Sequence, residues 1–198
     1  RYTGPTNKLF RNYGVKDLSN RKLTTSMRQT ASGQHGATRK KASDYALQLK
    51  AKQTIRMTYQ VSEKQFAKYY ETASRKTGVT GTIMLQTLES RLDNVLYRAG
   101  FAITRRQARQ IVNHAHVLVN GKKVDIPSYL LKAGDVVTVK ESSKQFVKSV
   151  MESIDLALSY AWLAVDRNEL KVTFDRIPQR EELDPEFKEQ LVIEYYSK

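Results

Sequence analysis

The stretch TRRQARQIVNHAHVLVNGKKV, from Thr104 to Val124, predicts an α-helix that leads into a tight β-hairpin. Thr104 can cap the helix, and Gln107 stands three residues later, where it would complete a capping box. Four apolar residues recur at helical spacing and are expected to form a buried stripe: Ala108, Ile111, Val112 and Ala115. The Asn120-Gly121 pair between two short β-rich runs is typical of a type I′ hairpin turn.

The helix and the hairpin both carry concentrated positive charge. Arg105, Arg106 and Arg109 fall on the face opposite the apolar stripe, and we expect that face to be directed to solvent. The strand after the turn starts with Lys122 and Lys123, so the turn would bring these lysines beside the arginines. So much basic charge on one small surface indicates a polyanionic ligand. The alternative is an ordinary solvated helix face.

The whole chain is strongly basic. Its 198 residues suffice for one domain or two small ones, and 34 Lys and Arg against 20 Asp and Glu give a net charge of +14. Such an excess favours nucleic acid or an anionic membrane surface as the partner. No apolar run approaches the roughly 18 residues of a membrane span, and the basic N-terminal stretch lacks a signal-type apolar segment. These features predict a soluble intracellular protein that binds nucleic acid.

The charge is distributed unevenly along the chain. Residues 1–60 hold 13 Lys and Arg against 2 Asp and Glu, a net charge of +11. Residues 61–150 hold 15 against 7, a net charge of +8, whereas residues 151–198 hold 6 against 11, a net charge of −5. This gradient predicts a basic front that faces RNA or DNA and an acidic tail that faces a different partner, such as a basic protein.

Capping residues and apolar spacing predict further helices. Helices are expected to start near Ser43 or Asp44, after Ser62, and at Asp184-Pro185, because these residue types favour a helix N-terminus. One leucine-rich helix should end at Gly100 in a left-handed cap. Its expected buried residues are Leu85, Leu88, Leu92, Val95, Leu96 and Ala99.

The remaining segments are expected to be strands or irregular. Strands are predicted at Val136 to Lys140 and in the segments WLAVD and LKVTFD. Residues 1–42 carry basic and turn-forming residues but few apolar ones, so we expect them to be disordered until they bind a polyanion.

Several quoted segments together resemble a known family. The stretch from Leu88 to Glu141 contains Arg-Leu-Asp, a glycine, the Arg-rich helix, Val-Asn-Gly and later Gly-Asp. It resembles the RNA-binding module of bacterial small-subunit ribosomal protein four, which also occurs in pseudouridine synthases, tyrosyl-tRNA synthetases and heat-shock RNA binders. The N-terminal RYTGP, the GQHG of residues 33–36, SDYALQLKAKQ and the final LVIEYYSK extend the resemblance to the ribosomal protein family over nearly the whole chain.

The chain departs from the family pattern at a few positions. Many members carry four cysteines that bind zinc or an iron–sulfur cluster, but this chain has no cysteine and resembles the cysteine-free branch. Ser32 stands where the family usually has proline, and Arg11-Asn12 stands where Arg-Arg is usual. We expect the RNA-binding core to be unaffected by these changes.

The resemblance implies a structural role without catalysis or cofactor. It implies primary binding to a multi-helix junction in the 5′ domain of 16S rRNA, which nucleates assembly of the small (30S) subunit. It also implies contact with small-subunit ribosomal proteins five and three where mRNA enters, a contribution to translational accuracy, a cytoplasmic location on the ribosome, and repression of the protein's own operon.

Together these observations predict an α+β protein. Residues 1–42 would be a basic extended N-terminus, residues 43–87 a helical domain, and residues 88–150 an RNA-binding module of two helices packed on a short, mostly antiparallel sheet. Residues 151–198 would supply strands and a helix that pack back on the helical domain.

The candidate functional residues follow from these patterns and from the resemblance. The rRNA-binding candidates are Arg1, Tyr2, Lys8, Arg11, Gln34, His35, Arg91, Arg105, Arg106, Arg109, His114, His116, Asn120, Lys122 and Lys123. The candidates for the passage through which mRNA enters are Arg39, Lys40 and Lys41. The candidates for contact with a protein partner are Asp175, Glu181, Glu182 and Asp184.

Other readings of these residues remain open at this point. His114 and His116 could hold a metal, but only His35 remains as a further histidine and there is no thiol, so we predict no metal site. The acidic residues could act in catalysis, although a solvated tail or a partner surface fits them better. An RNA-modifying enzyme that carries the module and a DNA-binding regulator are the two competing functions.

Overall fold

The computed structural model describes residues 2, 4–15, 30–38, 41–153 and 159–197, so the candidates Arg1, Arg39 and Lys40 lie outside the described residues. The helices are α1 (Thr6–Tyr13), α2 (Asp44–Thr58), α3 (Glu63–Ser74), α4 (Thr80–Glu89), α5 (Leu92–Arg98), α6 (Arg105–Asn113), α7 (Lys144–Glu152) and α8 (Glu189–Tyr196). The strands are β1 (Val117–Val119), β2 (Lys122–Lys123), β3 (Asp135–Val139), β4 (Leu163–Asp166) and β5 (Lys171–Phe174). This combination of helices with an antiparallel sheet confirms the predicted α+β class. Within the described ranges, every helix is too short or too polar to cross a membrane.

The chain divides into two compact units, and the first is helical. It comprises Arg1–Met84 and Asp184–Lys198, whereas the second comprises Leu85–Leu183. In the first unit, α2 packs against both α1 and α8. Helices α2 and α3 begin where predicted, because the side chains of Ser43 and Ser62 accept backbone N–H groups of the first helical turn.

The prediction of an N-terminal segment without structure is wrong for residues 6–13, which form α1. Phe10 is only 2% exposed and Val15 only 7%, so this short segment has apolar anchors. Gly14 ends the helix in the left-handed conformation at φ 68°, and the Thr54 hydroxyl of α2 donates to the Tyr13 carbonyl at 2.8 Å. Two buried side chains and one hydrogen bond thus hold a helix that average composition did not reveal.

The last helix starts later than predicted, at Glu189 rather than near Asp184. The Asp184 carboxylate accepts the N–H of Glu186 at 3.0 Å and closes a turn instead of capping a helix. Phe187 then packs on the ring of Tyr59, with ring centroids 5.9 Å apart.

A buried lysine connects the C-terminal helix with α2 and α3. Lys52 is 4% exposed, and its ammonium lies 2.7 Å from Glu63 Oε1 and 4.3 Å from the ring centroid of Tyr195. The Tyr196 hydroxyl donates to the same Glu63 oxygen at 2.9 Å. Burial raises the pKa of Glu63, but the hydrogen bonds from Lys52 and Tyr196 outweigh it and hold that pKa below its ordinary value.

The second unit contains one antiparallel sheet in the order β2-β1-β3-β5-β4. The strands of residues 151–198 were expected to pack on the helical domain. In the structure, β5 instead pairs with β3, from Asp135↔Phe174 to Thr138↔Lys171. Val172 and Phe174 are fully buried, so β5 extends the apolar face that β3 presents. Strand pairing between distant segments is not visible in local periodicity.

The leucine-rich helix is interrupted where a single helix was predicted. Its buried residues and the left-handed Gly100 are confirmed, but α4 ends at Glu89 and α5 starts at Leu92. Arg91 between them is extended, at φ −68° and ψ 136°, and forms a β-bridge with Leu130. The interruption places Arg91 and Asp93 at the start of α5, where the candidate site begins.

We expect Tyr196→Phe to lower the free energy of unfolding by about 1 kcal/mol, because the variant loses its hydrogen bond to Glu63. The folded-state pKa of Glu63 lies below its ordinary value of 4.5. The stabilisation that the ionised Glu63 carboxylate provides is therefore fully present above pH 4.5. The penalty should shrink as the pH falls through the lower, folded-state pKa. Urea denaturation of both proteins at neutral pH and in acid measures the two effects.

Tyr70→Phe is the matched control, because the Tyr70 ring stacks on Tyr196 while its hydroxyl makes no hydrogen bond to any described residue. This variant should unfold like the unmodified chain. An equal loss in the two variants would show that the hydrogen bond to Glu63 contributes nothing.

Candidate nucleic-acid interface

The hairpin turn has the predicted type I′ geometry. Asn120 and Gly121 have positive φ values of 50° and 75°. The Asn120 amide donates to Asp135 Oδ1 at 2.8 Å and its oxygen accepts the Val136 N–H at 2.9 Å. The Asn120 side chain, a candidate for RNA contact, thus fastens the turn to β3.

The turn presents the two candidate lysines on a sheet edge. Lys122 and Lys123 are both exposed and form β2, which pairs with Val119 and Leu118 of β1. Consecutive strand residues project to opposite faces, so the two ammonium groups reach both sides of the edge. Neither lysine has an ion pair within the part of the chain that the structure describes.

Two of the three arginines of α6 are not directed to solvent, contrary to the prediction. Arg105 is 8% exposed; its Nε donates to Asn94 Oδ1 at 2.9 Å, and its guanidinium lies 4.3 Å from the ring centroid of Tyr97. The side chain of Arg109 is 13% exposed and donates twice to Asp93 Oδ2, at 2.9 and 2.7 Å. The prediction is wrong for both residues because α5 presents polar acceptors to this face. Arg106 is half-buried.

One carboxylate holds two of the candidate arginines. Asp93 has a side-chain exposure of 3%, and Arg91 donates to both of its oxygens, at 2.9 and 2.7 Å. Together with the two hydrogen bonds from Arg109, this makes one buried anion between two cations. Such a cluster orients the guanidinium groups, and removal of the anion would leave like charges together in a poorly solvated place.

A second buried network lies beside the first. Glu89 has no exposed side-chain surface and accepts from Arg98 at 2.7 and 3.2 Å and from Asn94 at 2.6 Å. Arg98 also donates to the Tyr160 hydroxyl at 2.8 Å. Asn94 donates to Glu89 and accepts from Arg105, so its amide connects α4, α5 and α6.

Sequence reasoning did not find Glu89, Asn94, Tyr97 and Arg98. The available signal was the run of charged and amide residues between apolar ones in LESRLDNVLYR, because polar residues inside a buried helical stripe need partners. The buried side chains of Glu89, Asp93 and Asn94 are the partners that the arginines required.

The two candidate histidines lie where α6 turns into β1. His114 is exposed, and His116 is half-buried with Nδ1 2.7 Å from the hydroxyl of Ser143. Among the described residues, no group of three or more His, Asp or Glu side chains could hold a metal ion.

Six further candidates lie in the first unit. Tyr2, Lys8, Gln34, His35 and Lys41 are exposed, and Arg11 is half-buried at the end of α1. The Tyr2 hydroxyl donates to the Pro5 carbonyl at 3.2 Å.

The two departures from the family pattern near the N-terminus contact each other. The backbone N–H and the hydroxyl of Ser32 both donate to Asn12 Oδ1, each at 2.7 Å. Asn12 lies on α1, so this pair ties the loop before the Gly-Gln-His-Gly segment to that helix.

The acidic candidates do not have equal roles. Asp175 and Glu181 are exposed, whereas Asp184 is half-buried and caps the turn before α8. Glu182 accepts from both terminal nitrogens of Arg176 and from the Gln179 N–H. The hydrogen bonds from Arg176 and from the Gln179 backbone lower the pKa of Glu182 to about 2.

Known proteins match the chain from end to end. Residues 1–89 match the ribosomal protein S4/S9 N-terminal domain, and residues 90–137 match the S4 domain. The chain is 50% identical over 206 residues to small ribosomal subunit protein uS4A of Symbiobacterium thermophilum, with 100% of this chain and 99% of that protein covered. The chain belongs to the uS4 family of small ribosomal subunit proteins.

Other uS4 proteins match with the same coverage, 100% of this chain and 99% of theirs. The identity is 49% over 203 residues for uS4 of Mesomycoplasma hyopneumoniae and 46% over 204 residues for uS4 of Gloeobacter violaceus. These findings confirm the predicted resemblance. Because uS4 proteins are structural and non-enzymatic, the prediction of no enzymatic activity is confirmed and the RNA-modifying alternative is excluded.

We expect Asp93→Ala to lower the free energy of unfolding by about 3–5 kcal/mol, because Arg91 and Arg109 would lose the buried carboxylate that they share. Urea denaturation of the full chain measures the change. The control is Asp125→Ala, which removes an exposed carboxylate of the same unit and should alter stability little. A loss below ~1 kcal/mol for Asp93→Ala would mean that the network does not stabilise the fold.

Proposed function

We propose that this uS4 protein is a primary binder of 16S rRNA, which recognises a multi-helix junction of the 5′ domain and nucleates assembly of the 30S subunit. Family membership already makes the chain a structural constituent of the small ribosomal subunit, and thus a cytoplasmic ribosomal component.

The two exposed lysines of the hairpin are the main support for rRNA binding at this surface. Lys122 and Lys123 are exposed, adjacent and fixed on a short strand whose turn is fastened to β3 by Asn120. RNA helices are recognised largely through their shape and through phosphate and 2′-hydroxyl contacts. Lysine acts as a mobile point charge toward phosphate, so two lysines that project to opposite sides of a rigid edge suit phosphates on either side of it.

The buried arginines support the same surface in a different way. Arg91, Arg105 and Arg109 are held by Asp93 and Asn94, so their first role is to fix α5 against α6. The residues around these helices then present a surface with little freedom to rearrange, which lowers the entropic cost of binding RNA.

The three adjacent cations at residues 39–41 suit a moving strand. Lys41 is exposed and follows the loop of residues 30–38 in the chain. We propose that Arg39, Lys40 and Lys41 line the passage through which mRNA enters the subunit. Contacts of this kind are tolerant of sequence and moderate in strength, because the strand must move.

The exposed acidic residues suit a protein partner. Asp175 and Glu181 are exposed in a segment of net charge −5, and anions do not favour contact with rRNA. We propose that they face small-subunit ribosomal proteins five and three and influence translational accuracy, and that the chain also represses its own operon by binding the mRNA.

Neutralising Asp175 and Glu181 should change the error rate of translation while leaving rRNA affinity unchanged.

We expect the double substitution Lys122→Ala and Lys123→Ala to weaken binding to a 5′-domain fragment of 16S rRNA. The slope of log K against log salt should become shallower by roughly 0.7–0.9 for each lost phosphate contact. Filter binding over a series of salt concentrations measures both quantities. The control is Lys171→Ala, which removes an exposed lysine from β5 of the same sheet, away from the edge strand β2. A folded double variant with an unchanged slope would refute the assignment of the hairpin.

Replacing Arg39, Lys40 and Lys41 by Ala should leave the yield of small subunits near normal. Translation through mRNA with stable downstream hairpins should fall, while translation of unstructured mRNA should change little. The matched control replaces Lys64, Lys68 and Lys76, which are exposed cations of the same unit, by Ala. Impaired assembly with an equal loss on both messages would show instead that the three cations only neutralise rRNA.

A further inference from the structure

Three aromatic side chains lie together on the surface of the second unit. The ring centroids of His114 and His116 are 5.8 Å apart, and those of His116 and Phe146 are 6.2 Å apart. His114 is exposed, and Phe146 is 48% exposed although it is a large apolar residue. We call these three residues the aromatic cluster.

The backbone at the end of α6 brings the two histidines together. The Ala115 N–H donates to the Val112 carbonyl at 2.7 Å and the His116 N–H donates to the Ile111 carbonyl at 3.1 Å, the two bonds of a Schellman motif. Ala115 occupies the left-handed position at φ 57°, where glycine is the usual residue. The chain thus reverses between the histidines, and their rings meet.

The middle ring of the cluster is held in place. His116 Nδ1 lies 2.7 Å from the hydroxyl of Ser143, which is 5% exposed, and the His116 carbonyl accepts the Lys140 N–H at 2.9 Å. A fixed ring loses little conformational entropy when a ligand packs against it.

Phe146 is not part of the core. Helix α7 buries Val147 and Val150 on its inner side, whereas about half of the Phe146 surface remains exposed. An exposed phenylalanine beside two surface histidines offers aromatic faces to a flat ligand such as a nucleobase.

The planes of neighbouring rings are tilted by 54° and 43°, so one flat ligand can stack on only one of them. We infer that an unpaired nucleobase of RNA stacks on the exposed Phe146, with His116 and His114 beside it. This inference rests on the proposed function, since it takes RNA as the partner, and it adds a contact of another kind. The hairpin lysines bind phosphates of paired or unpaired RNA alike, whereas the cluster needs a base whose face is not covered by a neighbouring base pair. Because every base has such a face, the contact is tolerant of sequence.

The test compares two RNAs that carry no ribosomal sequence: a single-stranded oligouridine and an RNA duplex of the same length. Phe146→Leu keeps an apolar side chain of similar bulk but removes the aromatic face. In the full chain it should weaken binding to the single strand about tenfold and leave binding to the duplex unchanged. Phe146→Trp should bind the single strand at least as tightly as the unmodified chain.

Two further measurements separate stacking from other effects. The salt dependence of binding should be the same in Phe146→Leu as in the unmodified chain, because no phosphate contact is lost. The matched control is Ile177→Ala, which removes an exposed apolar side chain of the same unit, 51% exposed, and should not change binding to either RNA. Urea denaturation should show that all of these variants remain folded.

The inference is overturned if Phe146→Leu binds the single strand as tightly as the unmodified chain, or if it weakens single-strand and duplex binding equally. The proposed function fails separately, if the unmodified chain does not prefer the 5′-domain fragment of 16S rRNA over other structured RNA. A stacking contact found without that preference would leave the aromatic cluster in place and remove only the assigned rRNA site.

Discussion

One buried carboxylate, that of Asp93, connects the parts of the second unit. Its oxygens accept from Arg91 on its own segment and from Arg109 on α6. Its backbone N–H donates to the Pro127 carbonyl at 3.2 Å, and the N–H of Leu92 donates to the Tyr129 carbonyl at 2.8 Å. The Arg-Leu-Asp segment therefore joins two helices and the loop that follows the hairpin.

This arrangement separates two uses of positive charge. Arg98 pairs with Glu89, and Arg91 and Arg109 share Asp93, so part of the arginine charge is compensated inside the protein. The lysines of β2 have no such partner in the described part of the chain and remain exposed. Arginine suits the first use because its planar fork makes several directed hydrogen bonds, and lysine suits the second because its charge is compact and mobile.

Local patterns predicted the local features well. Helix caps at Ser43, Ser62 and Thr104 and the type I′ turn at Asn120-Gly121 depend on a few adjacent residues, and the structure confirms all of them. Periodicity also identified the buried stripe of α6. It could not reveal what the opposite face meets, because a polar face packed on acceptors of another helix has the same spacing as a solvated one.

The failures at the ends of the chain have similar causes. Helix α1 depends on Phe10 and on a hydrogen bond from Thr54, and neither is apparent in the average composition of residues 1–42. The pairing of β5 with β3 joins segments that lie far apart in sequence. The candidate site was found in part: the exposed lysines were evident from the turn, whereas the partners of the arginines required the packing of α4, α5 and α6.

The contact between Asn12 and Ser32 has a consequence for how such chains diverge. One asparagine oxygen receives both hydrogen bonds from Ser32, and one of these comes from a backbone N–H that proline does not have. A change to proline at position 32 would remove both donors, and a change to arginine at position 12 would remove the acceptor. The residues at positions 12 and 32 are therefore expected to change together. In related sequences, serine at position 32 should accompany asparagine at position 12, and proline at position 32 should accompany arginine at position 12.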